Sequence, residues 1–189
     1  AWCRSRRRRW IDIVASAFGL ALLSPVIAAI ALGILLNSGM PIIFVQKRLG
    51  RNAQEFTLLK FRTMKKPTQG GPGVTQEGDS RVTGIGRWLR KRKFDELPQL
   101  LNVLKGDMTL VGPRPDLKEF WSQAQTEDRR VLELTPGMTG AASLVFCDEE
   151  KLLAPVPRER LTSFYLQQIL PQKARLDIEY AERATFRSD

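Results

Sequence analysis

Asp95-Glu96-Leu97-Pro98-Gln99-Leu100-Leu101-Asn102-Val103-Leu104-Lys105-Gly106-Asp107 opens on two adjacent carboxylates and continues as a leucine-rich helix. A proline is tolerated in the first turn of a helix and glycine stops one, so Pro98 and Gly106 bracket it and Asp95 reads as its cap. The basic run Arg90-Lys91-Arg92-Lys93 precedes the acids, and Arg114 follows, held between Pro113 and Pro115. By itself an acidic pair at a helix start is ordinary capping. The stiffened arginine changes the reading, because a guanidinium with little freedom left to lose holds phosphate oxygens bidentately. Cations on both sides of two acids suggest chemistry on a phosphate.

The helix dipole and the neighbouring cations both favour an ionised Asp95, which suits a nucleophile or a Mg²⁺ ligand better than a general acid. Glu96 reads as the partner that completes a metal site or acts as a base. Lys60-Phe61-Arg62 alternates cation, apolar, cation, so in a strand both charges share one face. That face is either a diphosphate clamp or simply solvated.

Composition narrows the classes. The 189 residues suit one domain with an appended membrane element, and the formal net charge of +10 calls for an anionic partner. With no histidine, His-based acid–base catalysis and His-ligated metals are excluded. Cys3 and Cys147 make neither a disulfide framework nor a cysteine metal cluster, and fit a reducing, cytoplasm-facing location. A chain starting at Ala1 reads as processed or cut from something longer.

Ile13 to Leu36 is uncharged, and about 20 such residues cross a bilayer core. Two details argue against simple crossing. Ser24-Pro25 sits at its centre, where proline should bend or break the helix while serine bonds freed backbone groups. Arginines Arg4 and Arg6 to Arg9 precede it, and Lys47, Arg48, Arg51, Lys60 and Arg62 follow it, so both flanks look cytoplasmic. The segment reads as a re-entrant hairpin, with a kinked spanning helix as the alternative.

Beyond it, Ile42 to Gln46 and Gln54 to Phe61 read as strands of a hairpin, and Lys65 to Ser80 as a loop able to cover a site. A basic helix near Ile85, with Trp88 and Leu89 on one side, reads as interfacial or as a solvated basic face. Lys118 to Leu134 is helical, Thr135 to Gly140 a turn, and Arg158 to Leu170 and Gln172 to Ala184 are helices separated by Pro171. The expected fold is α+β and mostly helical: residues 1–40 a basic N-terminus and membrane hairpin, and 41–189 a catalytic domain with its core at 41–140 and C-terminal helices at 150–185.

Six stretches resemble the bacterial sugar transferase family, the monotopic phosphoglycosyl transferases. They are SP at Ser24-Pro25, QKRLG at Gln46, KFRTM at Lys60, DELPQLLNVLKGDM at Asp95, LVGPRP at Leu110 and TPGMTG at Thr135. The resemblance implies transfer of a phosphosugar from a nucleotide-diphosphate sugar, usually a UDP-sugar, to polyprenol phosphate with release of UMP. It implies Mg²⁺, a covalent intermediate on Asp95 with Glu96 as partner, phosphate binding by Arg114, and a re-entrant helix broken at Ser24-Pro25. Lys60, Arg62, Arg90, Arg48 and Gln99 complete the candidate substrate-binding set, and Asp95 and Glu96 the metal set. The place implied is the cytoplasmic face of a bacterial inner membrane, among membrane lipids, with homo-oligomerisation open. Lys93-Phe94 and the stretch after Gly140, with Asp148, Glu149 and Glu150, depart from the family pattern and leave the donor sugar open. A nucleic-acid partner would account for the charge but not for the apolar run. A noncatalytic membrane-surface adaptor leaves the acids idle, and a membrane phosphatase or pyrophosphatase would use water as acceptor.

Overall fold

The apolar run folds as one α-helix, α1 (Arg6–Ser38), begun by Ser5, whose hydroxyl accepts from the Arg8 N–H. The computed structural model describes residues 2–65, 78–125 and 127–189. Of the bend or break expected at Ser24-Pro25, the break is corrected, since the helix continues through Pro25; a bend there is compatible with an uninterrupted helix. The reason is local. Pro25 has no N–H for the carbonyl four residues back, Ala21, and the Ser24 hydroxyl donates to that oxygen at 2.8 Å. One side of α1 is buried through Arg8, Asp12, Ser16, Ile30 and Ile34, and Gly19 faces Leu100. The other side leaves Val14, Phe18, Leu22 and Leu36 exposed.

Strands β1 (Ile43–Leu49) and β2 (Glu55–Phe61) form the expected antiparallel hairpin, in register from Ile43 opposite Phe61 to Leu49 opposite Glu55. Helix α2 (Gly84–Lys91) is capped by Thr83, whose hydroxyl accepts from Gly86. Leu89 is fully buried beside Ile30, Ile34 and Phe61, whereas Trp88 is exposed with the Arg92 guanidinium 4.9 Å from its ring. They therefore point different ways, against the expectation. Of the loop expected at 65–80, residues 66–77 lie outside the described residues.

Helix α3 (Gln99–Lys105) ends at Gly106, whose φ of 98° is the left-handed stop expected of glycine. A parallel pair, β3 (Thr109–Val111) and β4 (Gly137–Thr139), corrects the reading of Thr135 to Gly140 as a turn. Glycine makes the pairing close: a Cβ on Gly137 would stand 2.2 Å from the Gly112 nitrogen. Strands of three residues are too short to show alternation.

Lys118 to Leu134 comes as α4 (Lys118–Gln123) and a 3-10 turn, Asp128–Glu133, not as one helix. Short helices α5 (Ala141–Val145) and α6 (Glu149–Leu152) follow. The last two expected helices prove continuous. Helix α7 (Leu161–Phe164) passes through a π-helical turn, Tyr165–Ile169, into α8 (Leu170–Arg183), and the wide turn absorbs the backbone mismatch that Pro171 creates. Leu161, Tyr165, Ile169, Leu170 and Ala174 pack on Phe120, Trp121 and Val131 as the largest apolar cluster. The fold is α+β and mostly helical.

Candidate active site

Asp95 and Glu96 lie in a 3-10 turn, Phe94–Glu96, that enters from a left-handed Lys93 (φ 57°) and precedes α3. Asp95 is not the helix cap expected from sequence, because Pro98 holds that position and no side chain caps the helix. Three residues per turn make adjacent side chains diverge, so the two acids reach different surroundings.

Glu96 points at cations. Arg114 Nη2 and Nη1 donate to its Oε1 and Oε2 at 2.6 and 3.3 Å, and Lys60 Nζ donates to Oε1 at 3.0 Å. Burial would raise its pKa, but the charges and hydrogen bonds of Arg114 and Lys60 outweigh burial and hold the carboxyl well below the usual range. Glu96 is thus a fixed anion that fastens Arg114 and Lys60, and both its oxygens being engaged leaves it a weak base.

Asp95 is also buried, yet its Oδ1 has no hydrogen-bond partner. Burial pushes its carboxyl upward, Lys60 pulls it down, and Glu96 adds to the rise. The surroundings do not all favour the ionised form, as the sequence suggested: dehydration is the largest influence and opposes the cations. The result is a more basic carboxylate, with one uncommitted oxygen in the field of Lys60, Arg90 and Arg114. Lys60 is itself brought down to about 8 by burial and by the Arg114 charge, against the pull of Glu96 and Asp95.

The remaining candidates divide. Gln99, on the first turn of α3, is buried with its Nε2 unpartnered. Arg90 donates from Nε to Thr63 Oγ1 (3.0 Å) and pairs through Nη1 with Glu150 (2.9 Å). Arg48 bonds Gln46 and reaches Asp116, two residues beyond Arg114, at 3.5 Å. Arg62 is not in the site. The strand ends at Phe61, and the Arg62 guanidinium turns to the carbonyls of Ser38, Gly39 and Met40 at the end of α1, which corrects the Lys60–Arg62 clamp. Ser24 and Pro25 lie in the middle of α1, outside this cluster.

Among the described residues no three acidic or cysteine side chains stand together as a metal cage. Mg²⁺ commonly takes one or two carboxylates plus substrate phosphates, and the free Asp95 oxygen fits that mode. Glu96 fits it poorly, both its oxygens being held by cations.

Several residues that build the site had no role assigned from sequence. Asn102, fully buried, donates to Thr57 O (2.7 Å) and accepts from Leu59 N (3.1 Å), fastening α3 to the strand that carries Lys60. Asp12 accepts from Thr109 Oγ1 (2.7 Å) and Leu110 N (3.1 Å), tying α1 to β3. Behind Arg114, Asp116 accepts from Tyr165 (2.8 Å), and Lys173 pairs with Glu149. Asp177 accepts from Ala142 N (3.0 Å), and burial pushes its carboxyl up to about 6. A buried polar residue inside an apolar run is the signal that could have found Asp12 and Asn102.

The sequence model of the family described as bacterial sugar transferase matches residues 3–189. The UDP-N-acetylgalactosamine-undecaprenyl-phosphate N-acetylgalactosaminephosphotransferase of Aeromonas hydrophila is 41% identical over 144 residues, 73% of this chain and 34% of that protein. The UDP-glucose:undecaprenyl-phosphate glucose-1-phosphate transferase of Caulobacter vibrioides is 45% identical over 143 residues, 73% of this chain and 53% of that protein. The exopolysaccharide production protein PSS of Rhizobium leguminosarum is 39% identical over 145 residues, with 72% of each chain covered. The chain thus spans about a third and about half of the length of the first two relatives.

Proposed function

The chain belongs to the bacterial sugar transferase family, and from that premise we propose that it transfers a sugar-1-phosphate from a UDP-sugar to undecaprenyl phosphate, releasing UMP. The observation that carries the reading is the uncommitted, buried Asp95 oxygen set among Lys60, Arg90 and Arg114. An Asp95 oxygen attacks the sugar-bearing phosphorus, and the bond to the UMP oxygen breaks. A phosphate oxygen of the lipid then attacks the same phosphorus, the acyl-phosphate bond breaks, and the Asp95 carboxylate is restored. Such transfers rest on alignment and charge neutralisation rather than on proton chemistry, in keeping with a chain that has no histidine. Arg114 and Lys60, held by Glu96, orient the diphosphate, and Gln99 Nε2 is a free donor one turn from Asp95. Bound Mg²⁺, held by Asp95 together with substrate phosphates, would neutralise charge on the diphosphate.

The lipid acceptor requires a membrane site, and we read α1 as entering and leaving by the cytoplasmic leaflet of the inner membrane. At 33 residues the helix is about 50 Å long, more than enough to span a bilayer. Its two ends are nonetheless held by the same domain: Arg8 and Asp12 at β3, and Ile30 and Ile34 against Phe61 and Leu89. This supports one leaflet for both ends, with the exposed apolar side toward lipid. Cysteines placed singly outside each end, in a Cys3→Ser, Cys147→Ser background, should be labelled from the same side; labelling from opposite sides rules this topology out.

The reaction is tested with the purified chain in nanodiscs, Mg²⁺, a panel of UDP-sugars and undecaprenyl phosphate. UMP should appear with at least one sugar and only when the lipid is present. Release that ignores the lipid would make the protein a hydrolase, and no release with any sugar would remove the transferase reading.

A further inference from the structure

Asp12 is the sole acid of α1. A carboxylate in an apolar helix is costly unless it is partnered, which makes its partners informative. Both its oxygens are engaged by β3, one by the Thr109 hydroxyl and one by the Leu110 N–H. One turn earlier, Arg8 is buried and donates to the Val111 carbonyl. Among the described residues β3 belongs to a sheet of two strands, so one of its edges has no described strand beside it. Asp12 and Arg8 supply its backbone with an acceptor and a donor, as a neighbouring strand would.

The segment that follows β3 has few free joints. Gly112 donates to Thr139 O at 2.7 Å and Pro113 O accepts from Gly137 N at 2.8 Å. A side chain on Gly112 would collide with Thr135 O at 2.6 Å, so its backbone has no room to shift. Pro113 and Pro115 then fix the torsions on either side of Arg114. A displacement of β3 is therefore transmitted to the guanidinium that forks Glu96.

We propose that Asp12, helped by Arg8, is a positioning residue for Arg114, so that the seating of the apolar helix sets the phosphate-binding arginine. Asp12 touches no reacting atom. Its effect on turnover rests on the transferase reading; its effect on the geometry of the 109–115 segment does not.

The test uses the full chain in nanodiscs with Asp12→Ala, Asp12→Asn, Thr109→Val and Arg114→Lys. Misplacing a binding group by an ångström costs on the order of 100-fold, so Asp12→Ala should lower kcat/KM for the UDP-sugar by about 10- to 100-fold. In the Arg114→Lys background the same change should cost less than about 2-fold more, because residues acting through one group are not additive. Asp12→Asn can still accept from Leu110 and donate to Thr109, and should keep most of the activity. Hydrogen–deuterium exchange should quicken at 109–115 in Asp12→Ala. Equal losses in both backgrounds, wild-type kcat/KM in Asp12→Ala, or unchanged exchange at 109–115 would each overturn the proposal. If Asp12→Ala does not accumulate folded, Thr109→Val removes one hydroxyl and should show the same non-additivity with a smaller loss; a wild-type rate there overturns it too. If the wild-type chain itself releases no UMP, the transferase reading fails, and the exchange measurement still decides the positioning role.

Discussion

Raising the pH through 8 should weaken the proposed transfer while making the protein more stable, and Lys60 is the reason. Its ammonium is 18% exposed and donates to Glu96. Burial and the Arg114 charge bring it from the ordinary 10.5 down to about 8, even with Glu96 and Asp95 pulling the other way. Between those two values the unfolded chain keeps a proton that the folded chain has lost, so the free energy of unfolding rises with pH across the window. At 1.36 kcal/mol per pH unit the gain is about 3 kcal/mol, complete by pH 10.5 and absent below 8. Activity moves oppositely. A neutral Lys60 no longer offsets the diphosphate, so kcat/KM, which reports the free enzyme, should fall about tenfold per pH unit above 8. UMP release and urea unfolding, each from pH 6.5 to 10, measure the two effects on one preparation. Lys60→Arg, which does not titrate, should lose both the alkaline limb and the stability gain. Lys60→Met should be poorly active throughout and lack the gain. An activity limb centred near 10, a limb that persists in Lys60→Arg, or wild-type stability that tracks Lys60→Met from pH 8 to 10 would refute the reasoning.

Asp95→Asn should abolish UMP release and any covalent phosphosugar adduct yet raise the melting temperature, because the amide removes a charge that burial disfavours; turnover by this variant would remove Asp95 as nucleophile. Asn102→Ala strands the Leu59 N–H and the Thr57 carbonyl in a dry site, and chemical denaturation should show a loss of roughly 2–5 kcal/mol. For Asp177, pushed up to about 6 from 3.8, the folded chain holds a proton that the unfolded chain has lost across that window, so stability falls as pH rises through it. Asp177→Asn should therefore be more stable than wild type at pH 7, by up to about 3 kcal/mol, and no more stable at pH 3.5. Equal gains at both pH values would mean that the benefit is not electrostatic.

The hairpin, the Gly106 stop and the acid pair beside a stiffened arginine were legible because each has a local cause: β-branched runs, a left-handed glycine, prolines flanking Arg114. The corrections share a different origin. Lys60 and Arg62 look equivalent in sequence, and only the end of the strand at Phe61 with the nearby carbonyls of α1 sends them to different partners. The β3–β4 pair was hidden because its partners are distant in the chain and its strands are short. Pro25 looked like a break because the sequence shows the lost N–H but not that the Ser24 hydroxyl takes over the Ala21 carbonyl. Asp95 looked like a cap because its burial depends on elements far away in sequence.

The adjacent acids differ in what surrounds them: one is fastened by cations and the other keeps a free oxygen, which suits a structural role for the first and the proposed chemistry for the second. Glu96 is held on Arg114 and Lys60, and Glu150 sits on Arg90. Three cations, Lys60, Arg90 and Arg114, therefore face three carboxylates once ionised Asp95 is included, and the cluster is close to neutral before any substrate arrives. A donor diphosphate would add roughly two negative charges, and among these six groups each of the three cations already has a carboxylate to share its charge with. Two remedies lie within the proposed chemistry: a divalent cation arriving with the diphosphate, or displacement of Glu150 from Arg90, the one pair of the three whose carboxylate is half exposed. Asp95 is the carboxylate with nothing fastening its free oxygen, so it is the group whose charge the incoming phosphorus can relieve by forming a bond. The burial that raises Asp95 and the ion pairs that lower Glu96 thus both suit the proposed chemistry, in which the attacking oxygen is kept basic beside cations already in position.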